Sequence, residues 1–147
     1  MLFKCMASHS KKSNRYPVLM NTHINVNSEE FQRFKQEAGD TPVIMLNLLK
    51  YKDLVEETGE TGQAAYSHYL NEAAPFLEKV NAKVLFFGAP KHMLIGPLDE
   101  GLWDAVILVH YHSCTDFITM ASSEGYPSHL RARALEDSRL IHCKSIQ

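Results

Sequence analysis

The sequence has no apolar run approaching the ~18–20 residues that a membrane-crossing helix needs, so neither a membrane span nor a membrane partner is expected. It has no CxxC pair. Cys5, Cys114 and Cys143 stand far apart, which favours reduced thiols used for packing and hence a cytoplasmic, reducing compartment. A phosphate-cradling glycine loop, a GxSxG elbow and an HExxH helix are all absent, which argues against nucleotide, hydrolase and zinc-protease chemistry. The first 28 residues hold Lys4, Lys11, Lys12 and Arg15 but no acid, leaving 11 bases against 17 acids in the remainder. An anionic globular part argues against nucleic acid, whose binding rests on neutralised phosphates.

What is present is an ordinary globular composition, 45% hydrophobic and 22% charged over 147 residues, enough for one domain with one core. Residues 1–22 read as a flexible, basic extension and residues 23–147 as the domain. The stretch SEEFQRFKQEAG predicts a short helix with Ser28 as N-cap and Gly39 as its stop. Val43 to Lys50 is apolar almost throughout, which suits a strand covered on both faces. After an acidic loop, Thr61 or Gly62 opens the longest helix, whose stripe runs from Ala65 through Tyr66, Tyr69 and Ala73 to Val80; Pro75 predicts a kink or a fresh turn. Residues 83–88 and 92–96 are expected to be extended around a Gly88-Ala89-Pro90 break, and Trp103 to Tyr111 forms a further strand. Helical turns over 115–121, a helix from Tyr126 to Glu136 and a closing strand in SRLIHCKSI complete the chain.

A helix followed by β-α-β-β-α-β predicts an α+β fold, the ferredoxin-like plait with an extra N-terminal helix, whose first and third strands lie centrally. Both central strands are apolar on both faces, yet a lone plait covers only one. A second copy packed sheet to sheet, a dimeric α+β barrel, is therefore expected.

Asn47 is the exception within its apolar strand, and a buried, unpaired amide costs roughly 1–3 kcal/mol. Either the fold satisfies it or it steadies a ligand's carbonyl or enolate oxygen. Tyr66, Tyr69 and Trp103 are the further candidates for contacting that ligand, the alternative for each tyrosine being a core aromatic with its hydroxyl satisfied. His110 or His129 suits a general base, because histidine titrates near neutral pH. Arg131 suits a substrate carboxylate, the alternative being an ion pair with Asp104 or Asp137. His110, His112 and Cys114 alternate along an extended path but lack a nearby fourth ligand, so no metal is expected, and no cofactor.

The segments HINVNSEEF, TPVIMLNLLKYK, AYSHYLNEAAPFLEKV, LIGPLDEGLWDAVILVHY and YPSHLRARALEDSRLI resemble family thirteen-thirty of the domains of unknown function, within the dimeric α+β barrel superfamily. Together they span most of His23 to Ile146, with Met45 to Leu48 and the Trp103-Asp104 pair the most specific matches. The resemblance implies the plait, the homodimer and a natural start at Met20. It implies no single activity, since relatives in the superfamily include cofactor-independent monooxygenases, lactone isomerases, haem-using enzymes and stress-induced proteins. The chain departs from the pattern in having His110-Tyr111-His112-Ser113 at the end of the third strand, and Leu130 rather than histidine before Arg131. The expected function is a homodimer that binds a small, largely apolar molecule between sheet and helices. A cofactor-independent oxygenase or isomerase and a non-catalytic interaction dimer are the alternatives.

Overall fold

Among the described residues, three of the four helices begin where a short polar side chain replaces a missing backbone partner. In the computed structural model, which describes residues 22–147, these starts divide the chain into α1 (Ser28–Ala38), β1 (Val43–Tyr51), α2 (Gly62–Lys79), β2 (Lys83–Gly88), β3 (Ala105–Tyr111), α3 (Cys114–Ala121), α4 (Ser128–Ala134) and β4 (Leu135–Cys143). The extension expected over residues 1–22 and the start expected at Met20 lie outside the described residues, Thr22 excepted. Asn27, not Ser28, caps α1: its Oδ1 accepts from the N–H groups of Glu29 and Glu30 at 3.0 and 3.1 Å. Thr61 Oγ1 accepts from Ala64 N–H at 3.2 Å to start α2, and Ser113 Oγ from Asp116 N–H at 3.0 Å to start α3.

The four strands form one antiparallel sheet in the order β2-β3-β1-β4, with β1 and β3 central. This is the ferredoxin-like plait preceded by one helix. Alternation divides the sheet into two unlike faces. Val43, Met45, Asn47 and Leu49 of β1 share a face with Ala105, Ile107, Val109 and Tyr111 of β3, and all of these but Asn47 are buried. Ala65, Tyr66, Tyr69 and Ala73 of α2, with Cys114, Phe117 and Met120 of α3, close over that face. The other face carries Ile44, Leu46 and Leu48 beside His110, Leu108 and Val106, all half-buried and, among the described residues, without a helix over them.

Several boundaries differ from the sequence reading, each for a local reason. Residues 92–96 are loop rather than strand, because pairing from Lys83↔His110 to Gly88↔Val106 already uses nearly the whole of β3. Leu94, Ile95 and Leu98 of that loop are more than 90% exposed. Pro75 neither ends nor restarts α2. Asn71 and Pro75 are both exposed, so solvent can serve the carbonyl that proline leaves without a donor. The helix expected to reach Glu136 stops at Ala134, where β4 begins at once and pairs Leu135 with Tyr51.

Two junctions hold the helices to this sheet. Asp137 Oδ1 accepts from His23 N–H at 2.7 Å, Ser138 N–H at 2.9 Å and Arg139 Nη1 at 2.7 Å, fastening the segment before α1 to β4. Burial pushes the Asp137 carboxyl up, but the Arg139 bond and the two backbone donors outweigh it and hold it below the usual carboxylate range. At the second junction Lys52 N–H donates to Ala134 O at 3.0 Å and Gly62 N–H to Lys52 O at 2.9 Å. The end of β1, the start of α2 and the turn from α4 into β4 thus meet at one point. A Cβ on Gly62 would lie well under 3.0 Å from backbone atoms of both Lys52 and Ala134. Gly62→Ala is therefore expected to destabilise the fold by about 1–3 kcal/mol, the usual cost of overpacking. Denaturant unfolding checks this, and an unchanged midpoint would show that the junction yields freely.

Candidate functional site

Between the covered face of the sheet and the helices lies a cavity of about 410 Å³. Its floor is Met45 and Asn47 from β1 with Ile107, Val109 and Tyr111 from β3. Tyr66, Tyr69 and Ala73 of α2, Phe117 and Met120 of α3, and Tyr126, His129 and Arg131 from the α4 region enclose the rest. Ile24, Asn25 and Val26, held by the Asp137 junction, complete one side.

Tyrosines give the cavity its character. The rings of Tyr51, Tyr66 and Tyr69 follow one another at 5.6 and 5.1 Å, and Tyr126 stands edge-on to Tyr69 at 6.3 Å. The hydroxyls of Tyr69 and Tyr126 share a hydrogen bond of 2.5 Å. Burial pushes the phenols of Tyr66, Tyr69, Tyr111 and Tyr126 above their ordinary value, and only in part does the positive charge of Arg131 oppose this at Tyr66, Tyr69 and Tyr126. Near neutral pH these groups are neutral hydrogen-bonding phenols.

Arg131 comes from the middle of α4 and makes no ion pair among the described residues. Its buried Nη2 has no hydrogen-bond partner there. Both carboxylates that might have paired with it are engaged elsewhere. Asp104 lies 3.1 Å from Lys50 Nζ and accepts from Tyr51 N–H at 2.8 Å, while Asp137 holds Arg139. Asn47 is similarly under-employed. Among the described residues its Nδ2 reaches only the backbone oxygen of Met45, two residues away, at 3.5 Å, the limit of a hydrogen bond.

The structure therefore brings Asn47, Tyr66, Tyr69, His129 and Arg131 to one cavity, with His129 exposed. It does not bring Trp103 or His110 there. Trp103 lies beneath the Arg139 guanidinium, 5.0 Å from its ring centre, and His110 stands on the uncovered face with its ring 5.4 Å from that of His112. Cys114, which follows them in sequence, is buried in α3, and burial raises its thiol away from reactivity. Among the described residues no three metal-ligating side chains converge. Tyr111 and Tyr126 are cavity residues that the sequence reading missed. Tyr111 was visible in the alternation of Ile107, Val109 and Tyr111 along one strand face; Tyr126 sits in a turn and carries no periodic signal.

A four-stranded antiparallel sheet with helices over one face defines a ferredoxin-like α+β protein, here with a tyrosine-lined cleft beneath the helices. The chain belongs to the family of the RPA0582 protein of unknown function from Rhodopseudomonas palustris. It is 34% identical to that protein over 86% of this chain and 98% of that one, with a TM-score of 0.76. The methylated form of the same protein matches at 33% identity over 87% and 98% of the two chains, with a TM-score of 0.77. A dimeric protein of unknown function and ferredoxin-like fold from Bacteroides fragilis, covering 71% of this chain and 96% of its own, stands much further off at 13% identity and a TM-score of 0.47. SnoaB, a cofactor-independent oxygenase from Streptomyces nogalater, is equally distant, with 13% identity over 73% and 95% of the chains and a TM-score of 0.48. No protein-family model and no curated protein matches the chain.

The tyrosine cluster generates a pH expectation. A phenol whose value is raised on folding contributes stability that is complete below its unfolded value of about 10 and is lost as pH rises through the folded value. Spectrophotometric titration should find at least four tyrosines resisting ionisation past about pH 10 until the protein unfolds, with stability falling over the same alkaline range. Ionisation of all the tyrosines near pH 10 in the folded protein would contradict the buried cluster.

Proposed function

We propose that this protein is a homodimer that binds a small, largely apolar organic molecule in the cavity between sheet and helices. The observation that carries the reading is the cavity itself: about 410 Å³, walled chiefly by apolar and aromatic side chains, with a few polar groups turned toward one volume. That is the usual form of a small-molecule site, in which apolar walls supply affinity and sparse polar groups supply orientation. Asn47 takes a central part because an amide with one marginal local bond has its hydrogen-bonding capacity left for a guest. Tyr66 and Tyr69 provide flat apolar contact with a hydroxyl at the end.

The uncovered sheet face supports the dimer. Ile44, Leu46, Leu48, Val106 and Leu108 form a continuous apolar band there, extended by Phe86 and Ile141, which are about half exposed. A band of this kind on a monomer marks an interaction surface, and a second copy offers the same band for a two-fold contact. The arrangement is the one implied by the resemblance to family thirteen-thirty of the domains of unknown function. Buried Cys114 and unpaired Cys143 fit a reducing, cytoplasmic setting.

A second reading has a specific observation in its favour. His129 lines the same cavity as Arg131 and Asn47, so a base and two oxyanion partners face one volume, as a cofactor-independent oxygenase or isomerase would need. In that version His129 takes the base role rather than His110, which stands on the other face of the sheet.

Native mass spectrometry, followed by the denatured mass of the same sample, tests the main reading. A dimer carrying extra mass that leaves on denaturation is expected, and Asn47→Ala should lower its occupancy while the fold persists. Loss of stability with occupancy unchanged would assign Asn47 to the core instead. Leu46→Asp is expected to convert the dimer to monomer by placing a charge in the apolar band; a dimer of unchanged affinity would place the contact elsewhere. For the catalytic version, the captured molecule should change on incubation in air with the wild-type protein and not with His129→Gln, in mass for an oxygenase and in chromatographic retention at constant mass for an isomerase; a molecule unaltered by both measures leaves binding alone.

A further inference from the structure

Among the described residues, the cavity contains a positive charge and nothing negative to meet it. Among the described residues, Arg131 is its one lysine or arginine, no aspartate or glutamate lines it, and the buried Nη2 of Arg131 has no partner. A guanidinium cannot shed its charge in a protein. A buried donor left unpaired costs roughly 1–3 kcal/mol, and more when charged.

The usual remedies are missing. Lys50 holds Asp104 and Arg139 holds Asp137, so neither acid is left for Arg131. Among the described residues Arg131 has no aromatic ring stacked beneath it, unlike Arg139 over Trp103 and Lys79 over Phe76. The surrounding tyrosines are neutral, since burial raises them, so they supply dipoles but no counter-charge. The near neighbour of Arg131 is neutral, the Tyr66 hydroxyl, which is placed to accept from the guanidinium, and the Asn47 amide lines the same cavity. An arginine fork with no counter-charge, neutral polar groups in the same cavity and apolar walls beyond matches a group with two oxygens and a full negative charge at the end of an apolar body.

We infer that the ligand of this cavity is an organic carboxylate, its apolar part lying against Met45, Ile107, Val109 and Phe117 and its carboxylate received by Arg131. This rests on the small-molecule reading above and narrows it to one chemical class. Arg131 is then the residue that sets specificity: apolar contact alone would accept any molecule of suitable size, whereas the unpaired guanidinium discriminates against neutral ones.

Matched probes separate the two claims. Binding of 2-naphthoate and 2-naphthalenemethanol, and of hexanoate and hexanol, is measured by titration calorimetry on the full-length protein near neutral pH. Within at least one pair the carboxylate is expected to bind about tenfold or more tightly than its alcohol. Arg131→Met should remove that preference by weakening the carboxylate while leaving the alcohol within about twofold, and Arg131→Lys should retain part of it. Unchanged binding of the alcohol shows that the variant is folded. Equal binding of acid and alcohol by the wild-type protein, or a loss in Arg131→Met common to both, would overturn the carboxylate inference and leave the cavity reading standing. Failure of all four probes to bind would remove the cavity reading and this inference with it.

Discussion

Everything the cavity requires depends on a close backbone approach at Gly62. There the N–H that opens α2 donates to Lys52 O, and Lys52 N–H donates in turn to Ala134 O, at the last residue of α4. The approach is possible because Gly62 has no Cβ; with one, the backbones of Lys52 and Ala134 would be too near. Through these bonds the helix carrying Tyr66 and Tyr69 and the helix carrying Arg131 take their position from one strand end, the strand that also carries Asn47. Residues separated by more than 80 positions in sequence thus share a common origin. The irregular pairing between Lys50 and Tyr51 falls at the same place, where β1 must also meet the start of β4.

The sheet imposes the second constraint. Among the described residues a helix layer exists on one face only, so the apolar residues of β1 and β3 divide into those that this layer covers and those that it does not. Fully burying an aliphatic side chain is worth about 1.5–3 kcal/mol. Val43 and Leu49 collect that gain within the chain, whereas Leu46, Leu48 and Leu108 collect only part of it. Lys50 and Arg139 edge this apolar band, each tied down by an aspartate, which leaves its centre uncharged. A surface with an apolar middle and paired charges at its margin has the composition of an interface core and rim.

Much of this architecture was legible in the sequence, and the reasons are specific. The stripe from Ala65 to Val80 and the apolar runs at 43–50 and 103–111 are long enough for period to decide between helix and strand. The two-faced apolarity of the central strands pointed to a missing cover. What was not legible depended on pairing between distant segments. Residues 92–96 resemble a strand in composition, but β3 has no length left to pair with them. The early start of β4 at Leu135 depends on its meeting with Tyr51, and nothing local marks it. The same distinction holds for the cavity. Asn47, Tyr66 and Tyr69 were singled out because each interrupts or decorates a periodic apolar pattern, and they lie together. Trp103 and His110 were singled out by residue type, and strand parity and the Arg139 stack put them on the other side of the sheet.

The polar groups within the covered layer are unequal in cost, and the inequality ranks them. Tyr69 and Tyr126 satisfy one another, so they require no guest to be tolerated. Asn47 retains one long local bond, a state worth less than a normal hydrogen bond but short of complete isolation. Arg133, whose buried Nε has no partner among the described residues, does not line the cavity; among the cavity residues Arg131 costs most, because it combines full charge with a buried nitrogen in the same state. A leucine at either position would remove the penalty and add apolar burial, so stability alone favours neither residue. Groups that cost stability where they stand are the ones whose presence calls for another explanation, and sites of binding or catalysis are where such costs are expected to concentrate. On that measure Arg131 outranks Asn47, although the sequence, in which an asparagine within an apolar strand is conspicuous and an arginine on a helix is ordinary, suggests the reverse.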